Sequence, residues 1–433
     1  MLIILNYILN FMVYDIAIIG GGASGMMAAI SASQDNDIKI AILEKNDSCG
    51  CKLLITGQGR CNITNCTPIK QTLNKYSKIE AKFLKHSFYN LKNEKLLDIF
   101  RKKGLEFKEE ENHRVFPITD TSQSVLDVLK SYLNKNAIDI KFNFNVIDVE
   151  LNCNNIFEIK SNDNKQIKAK KLIVSTGGAT YPLTGSTGDG CRIAEKFNHH
   201  ISTLKPGTFP FIIDDNSLIS LKGLSFRNIK LSFKNSQNQN IESFGDMLIS
   251  HNGLTGPAVL NLSNDFIKNQ DYDLLEKRRN FKNEDINIDF LPEIPGDIIN
   301  NEFIADSTSK KELHNYLRKY LPNNFIKYFL DKINIDENIT LANLTKKDRN
   351  RIVEILKNFR LTVTGIMDKK AFLTVGGVNL NEINSKTMES KIVSGLYFSG
   401  ETLDVCGPTG GYNLMIAFTT GYLAGQSAAM SLK

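Results

Sequence analysis

Gly20, Gly22, Gly25 and Glu44 carry the most specific chemistry in this chain. The glycines follow the apolar run Ile16–Ile19 in G-x-G-x-x-G spacing, and Glu44 ends IKIAILE nineteen residues after Gly25. Glycine at these positions lets a turn tighten, lets backbone approach a pyrophosphate, and lets a helix sit close to a sheet. Unpaired N–H groups of a helix beginning around Ala23 and Ser24 then face phosphate oxygens, with the positive end of the helix dipole behind them. A carboxylate at position 44 accepts from both ribose hydroxyls. These residues need a buried strand, a glycine turn, a small-residue helix and a second strand. YDIAIIGGGASGMMAAISASQDNDIKIAILEK, residues 14–45, supplies all four in order, and the segment reads as a dinucleotide-binding unit.

The far end of the chain decides which dinucleotide. Residues 395–424, GLYFSGETLDVCGPTGGYNLMIAFTTGYLA, read as a strand ending in Gly400-Glu401, a glycine-rich loop, and a helix entered at Gly410-Gly411. Only a cofactor reaching well beyond the first turn needs both ends. An acid on the strand end suits ribityl hydroxyls, and a second helix start suits the electron-rich side of a flavin ring, where reduction adds negative charge. The expected cofactor is FAD.

The 433 residues can bury a sizeable core in two or three domains. Fifty-three basic and 47 acidic residues give a net charge of +6, spread in short clusters such as Lys346-Lys347 and Lys369-Lys370. Such diffuse charge reads as solvated surface, so no nucleic-acid partner is expected. Seven cysteines, Cys49, Cys51, Cys61, Cys66, Cys153, Cys191 and Cys406, form neither a disulfide framework nor a zinc pattern, so a reducing cytoplasm is expected and no metal. The apolar start MLIILNYILNFMV lacks a basic region and a cleavage site, and is too short to span a bilayer. Residues 1–11 read as a loose or artificial extension, with Met12 as the natural start and no stable membrane association.

Four regions are expected: an extension (1–13), the first part of an FAD-binding domain (14–194), an inserted substrate or cap domain (195–360), and the C-terminal part of the FAD-binding domain (361–433). After Glu44 comes the turn-rich loop CGCKLLITGQGRCNITN (49–65), then helical patterns at 80–91 and 93–103 and a strand meander near 141–151 and 156–160. KLIVSTGGATYPLTGSTGDG (171–190) returns a buried strand to a glycine turn, adding Thr176 and Gly177 to the cofactor set. The insertion is richer in asparagine and lysine, with short alternating strands and helices at 310–320 and 346–358. The parallel sheet is expected to resume near Leu361, with FLTVGGV (372–378) as a further strand.

The motifs GGGASG, KLLITGQGRCNITN, RVFP, STGGATYPLTGSTGDG, SHNGLTGPAVL, TVGGV, TMESK and GLYFSGETLDVCGPTGGYN occur in that order. From Tyr14 onward the chain resembles the bacterial family of FAD-dependent, NAD(P)-linked flavoproteins that includes 3-dehydro-bile-acid Δ4,6-reductases. The resemblance implies an α/β fold: a Rossmann-like FAD-binding fold of the glutathione-reductase type, with an inserted β-rich and helical domain. It implies pyrophosphate binding at Gly20, Gly22, Ala23, Ser24 and Gly25, and ribose binding at Glu44 beside Lys45. It further implies that Thr56, Gly59, Arg60, Cys61 and Asn62 line the diphosphate and ribityl side, Arg60 by bidentate contact with phosphate. Val146 would meet the adenine through backbone groups, and Gly400, Glu401, Gly411, Tyr412, Asn413 and Ile416 would surround the ribityl chain and ring. Cys406 departs from a polar or acidic residue common in relatives, and Met415 from a glutamine.

The implied activity is that of an FAD-dependent oxidoreductase passing hydride from NAD(P)H through FAD to a small organic acceptor, such as a conjugated ketone. No second G-x-G-x-x-G with its own strand and acid is present, so either NAD(P)H is a transient donor, the expectation carried here, or another donor reduces the flavin. Tyr181, His251 and Tyr412 are candidate proton donors, because each stands in a glycine-bounded motif. Three other functions fit parts of the sequence. Cys61 and Cys66 have the C-x4-C spacing of flavin-linked disulfide reductases, but those enzymes carry a dedicated nicotinamide-binding unit and a distal catalytic histidine with its acid, and the sequence identifies neither. An RNA-modifying flavoprotein and a non-catalytic FAD-binding protein are the others.

Overall fold

The computed structural model describes residues 13–433 except 35, 36 and 137, so the expectation for residues 1–11 falls outside the described residues. The chain divides into two compact units: the residues up to Leu204 with Leu373–Lys433, and Lys205–Phe372.

The first unit is built on strand β1 (Val13–Ile19), followed by helix α1 (Ala23–Ala32) and strand β2 (Ile40–Leu43). Every residue of Ile16–Ile19 and Ile40–Leu43 is buried, as expected of parallel strands covered on both faces. Helix α2 (Ser122–Lys135) leads into β3 (Asp139–Lys141), which lies parallel to β2. An antiparallel meander follows: β4 (Val146–Leu151), β5 (Phe157–Ser161) and β6 (Gln166–Val174). Strand β6 is long enough to serve both arrangements. Its first half pairs with β5, while Lys168–Val174 runs parallel to β1 with Ile18 opposite Ile173.

Helix α3 (Asp189–Lys196) and strand β7 (Leu373–Val378) precede β8 (Leu396–Phe398), which pairs parallel with the end of β6. The chain finishes in helix α4 (Tyr412–Met430). Gly421 and Gly425 let the backbone of α4 press against Ser24 and Ala28 of α1, so the two ends of the sequence share one core.

The second unit holds a seven-stranded sheet in the order 359–363, 284–289, 225–234, 240–250, 253–255, 211–212, 365–366. An aromatic cluster of Phe226, Phe290, Phe325 and Phe359 packs its core, with ring centroids 4.9 to 5.8 Å apart. The strand containing Leu361 does not resume the parallel sheet: it pairs antiparallel with Glu284–Asp289, placing Leu361 opposite Ile286. Helix Lys346–Lys357 matches the periodic pattern there, whereas the expected helix at 310–320 is only Leu313–Leu317. Among the described residues no helix is long and apolar enough to cross a membrane, and no group of three or more His, Cys, Asp or Glu is placed to hold a metal.

Candidate cofactor site

The turn between β1 and α1 has the geometry a pyrophosphate needs. Gly20 takes φ +101°, and a Cβ there would lie 2.5 Å from the carbonyl oxygen of Ser175 on the neighbouring strand. Gly22 caps α1 with no side-chain hydrogen bond, and a Cβ on it would meet nothing within 4 Å. The N–H groups around Ala23 and Ser24 therefore stand at a helix start without a side-chain cap, beside a glycine with open space next to it. Ser24 also anchors the turn from below, through a hydroxyl chain in which Ser24 Oγ donates to Ser399 Oγ at 2.7 Å and Ser399 meets Ser175 Oγ at 2.8 Å. Ser175 and Ser399 were not singled out in the sequence, although each ends a buried parallel strand, the position where such sheets bind ligands.

Glu44 is buried, and both its oxygens are engaged by backbone. Oε2 accepts the N–H of Gly21 at 2.7 Å, and Oε1 accepts that of Asn46 at 2.9 Å. A carboxylate offers about four lone-pair positions, so both oxygens keep acceptor capacity for ribose hydroxyls. The Glu44 carbonyl accepts the N–H of Phe144 at 2.9 Å, drawing the chain that enters β4, and with it Val146, toward the acid. Lys45 donates to Thr187 Oγ1 and Asp189 Oδ2, each at 2.6 Å. A cavity of about 260 Å³ lies between the start of β4, including Val146, and α3.

The loop after β2 holds a run of left-handed residues: Gly57, Gln58, Gly59 and Cys61. Thr56 Oγ1 donates to the Leu53 carbonyl at 2.6 Å. Arg60 lies over the Phe116 ring at 4.2 Å and is ion-paired with Glu110 and Asp120, the latter at 2.5 Å. The hydrogen bond from Arg60 holds the Glu110 carboxyl below its usual range, and hydrogen bonds from Lys108 and then Arg60 do the same for Asp120. Cys61 is fully buried, and burial pushes its thiol up to about 12.

The C-terminal residues meet this loop from the other side. Asn65 Nδ2 donates to the Gly410 carbonyl at 2.9 Å. Gly411 takes φ +96°, where a Cβ would lie 2.3 Å from the carbonyl oxygen of Thr64 and 2.9 Å from Asn62 Oδ1. It caps α4 without a side-chain bond, leaving a second uncapped helix start. Asn413 ties the preceding loop, accepting from the Gly407 N–H at 2.8 Å and donating to the Gly407 carbonyl at 2.8 Å. Tyr412 and Ile416 are buried, the Tyr412 hydroxyl 3.4 Å from Thr67 Oγ1. Gly400 donates its N–H to Thr420 Oγ1 at 2.9 Å, and Glu401 beside it pairs with Lys52 at 2.8 Å.

Among the described residues, the buried polar atoms without a hydrogen-bond partner include Asn62 Oδ1 and Thr176 Oγ1 here, and the Tyr76 hydroxyl beside Gly407. Such atoms cost about 1–3 kcal/mol each when left unsatisfied. Asn62 and Thr176 belong to segments that the sequence assigned to the cofactor, and Asn62 Oδ1 adjoins the start of α4. Hydroxyl or ring N–H donors of a flavin dinucleotide match them, so these residues fit FAD. Of the proposed proton donors, Tyr181 and Tyr412 lie in this unit, whereas His251 is exposed on the turn between strands 240–250 and 253–255 of the other.

Sheet order, glycine turn and strand-end acid define the class: a Rossmann-type FAD-binding fold completed by both ends of the chain. Residues 14–427 match the HI0933-like protein Rossmann domain, and the chain belongs to that family. It is 30% identical over 419 residues to the 3-dehydro-bile acid delta(4,6)-reductase of Clostridium scindens, covering 96% of this chain and 98% of that one. It is 27% identical to the ribosomal RNA dihydrouridine synthase of Escherichia coli, covering 95% and 97% of the two chains. Among solved structures, 3-ketosteroid delta1-dehydrogenase from Sterolibacterium denitrificans superposes with a TM-score of 0.51 at 12% identity, covering 97% and 100%, a likeness of fold alone.

Proposed function

We propose that this protein is an FAD-dependent oxidoreductase that takes hydride from NAD(P)H and reduces a carbon–carbon double bond conjugated to a carbonyl. The observation that supports FAD best is the pairing of two uncapped helix starts, at Ala23 and Tyr412, with two strand-end acids, Glu44 and Glu401. The reaction class is supported by the full-length relative named as a Δ4,6-reductase.

Bound FAD supplies hydride transfer. The α1 N–H groups would hold the pyrophosphate and Glu44 the ribose. Glu401 would face the ribityl chain, and the N–H groups at the start of α4 would face the ring. Saturating a conjugated bond also needs a proton at the carbon next to the carbonyl. Tyr181 suits that role best: it sits in the glycine-rich loop after β6 with φ +56°, and burial raises its pKa, keeping the phenol protonated.

A second reading, RNA modification, is favoured by the relative named as a ribosomal RNA dihydrouridine synthase. A uracil ring also carries a C=C bond conjugated to a carbonyl, so one hydride-addition chemistry serves both acceptors.

The test is an anaerobic absorbance spectrum of the purified protein before and after stoichiometric NADH, then NADPH. A flavin band bleached by either supports the reductase. Reoxidation by a 3-keto-Δ4 steroid or by uridine-containing RNA then separates the two readings. Flavin that stays oxidised points to another donor, and a protein without flavin removes the proposal.

A further inference from the structure

Lys52 opens the KLLITGQGRCNITN motif but is not among the residues expected to touch the cofactor, yet it joins three distant segments. Its ammonium lies 2.8 Å from Glu401 Oε2 and donates to Thr180 Oγ1 at 3.2 Å. The other oxygen of Glu401 accepts the N–H of Thr374 at 2.7 Å, and Thr374 Oγ1 accepts the N–H of Ala179 at 2.8 Å. Gly178 makes room for the cluster, since a Cβ there would lie 2.2 Å from Thr374 Oγ1 and 3.0 Å from Glu401 Oε1. The side chains of Lys52 and Glu401 are 24% and 18% exposed, so the pair is shielded but still reachable by a ligand. Each Glu401 oxygen carries one protein donor and retains acceptor capacity. The ammonium has three hydrogens for its two acceptors.

We propose that Lys52 is a positioning residue for the cofactor: it aims the Glu401 carboxylate and balances its charge, so that the pair sets both FAD affinity and flavin reduction potential. The inference rests on the flavin reading above. A ring that gains negative charge on reduction responds to the sign of a nearby unbalanced charge, and the partly shielded location limits solvent screening. Removing either partner exposes the other, so the two removals have opposite electrostatic consequences.

The experiment compares the wild-type holoprotein with Lys52→Gln, Lys52→Arg and Glu401→Gln, with Lys52→Met in reserve if Lys52→Gln does not accumulate folded. FAD dissociation is read from flavin fluorescence and the midpoint potential from spectroelectrochemical titration. Lys52→Gln and Glu401→Gln each weaken FAD binding by about tenfold, as loss of a charge-assisted hydrogen bond predicts. Their potentials move in opposite directions, negative for Lys52→Gln and positive for Glu401→Gln, and Lys52→Arg restores most of the wild-type behaviour. Potentials that move the same way, or affinity and potential unchanged in Lys52→Gln, overturn the inference while leaving the flavin reading intact. A wild-type chain that takes up no FAD overturns both.

Discussion

Gly25 lies so close to Gly20 that a Cβ on Gly25 would stand 1.9 Å from the Gly20 carbonyl oxygen. The contact closes the turn between β1 and α1 backbone to backbone, and no flexible side chain is present to yield. Gly25→Ala must therefore move α1 or open the turn. The expected cost is about 3 kcal/mol, the upper end for overpacking, together with loss of FAD binding. Thermal melts and flavin content after purification check both.

Glu44 keeps the Gly21 and Asn46 N–H groups satisfied with its two oxygens. In Glu44→Gln one of those contacts becomes amide facing N–H, and the anionic acceptor for ribose is lost. FAD affinity is expected to fall about tenfold, equivalent to ~1.4 kcal/mol, with smaller loss of thermal stability. Titration of apoprotein with FAD, followed by fluorescence, measures it. Unchanged affinity would remove Glu44 from the ribose site.

The Rossmann unit was legible because its determinants are local: an apolar strand, glycines at fixed spacing and an acid after the next strand. The meander was legible from period-two alternation. Alternation tells which face of a strand is buried but not which strand lies beside it, and this is why Leu361 looked like a continuation of the parallel sheet while pairing with Ile286. Side-chain partnerships across long separations left no trace either. Lys52 and Glu401 are 349 positions apart, and Arg60 finds its acids 50 and 60 positions away, so neither spacing nor residue type reveals the pairs.

Cys61 and Cys66 share a C-x4-C spacing but not the environment that thiol chemistry needs. The Cys61 thiol is sealed from solvent and pushed up to about 12 by burial, and burial also raises that of half-buried Cys66. Exchange requires thiolate, which these surroundings suppress at neutral pH. Cys66→Ser is expected to leave the rate of flavin reduction by NAD(P)H and the turnover unchanged. A loss of either in stopped-flow and steady-state assays would restore the dithiol alternative.

His199 is buried between Ser390 and Glu382, with Nε2 2.8 Å from Ser390 Oγ and Nδ1 3.1 Å from Glu382 Oε2. Ser390 Oγ also accepts the N–H groups of Ile392 and Val393, so its own proton points to Nε2, and the Nδ1 proton goes to Glu382. The order resembles a nucleophilic triad, but those two donors and the burial of Ser390 make it a lock on the chain before β8. Burial lowers the His199 pKa below 6.5, with Glu382 opposing the shift. The folded state thus prefers the neutral ring, and below about pH 6.5 the unfolded chain binds the extra proton. The contribution to stability is complete above that value and is lost as pH falls toward the folded pKa. Between pH 7.5 and 5 the melting temperature of the wild type should fall. His199→Gln should cost about 1–3 kcal/mol at neutral pH, through imperfectly satisfied partners, and flatten that acid slope. Melting curves of the two proteins across this range decide it, and an identical slope in both would place the titration elsewhere.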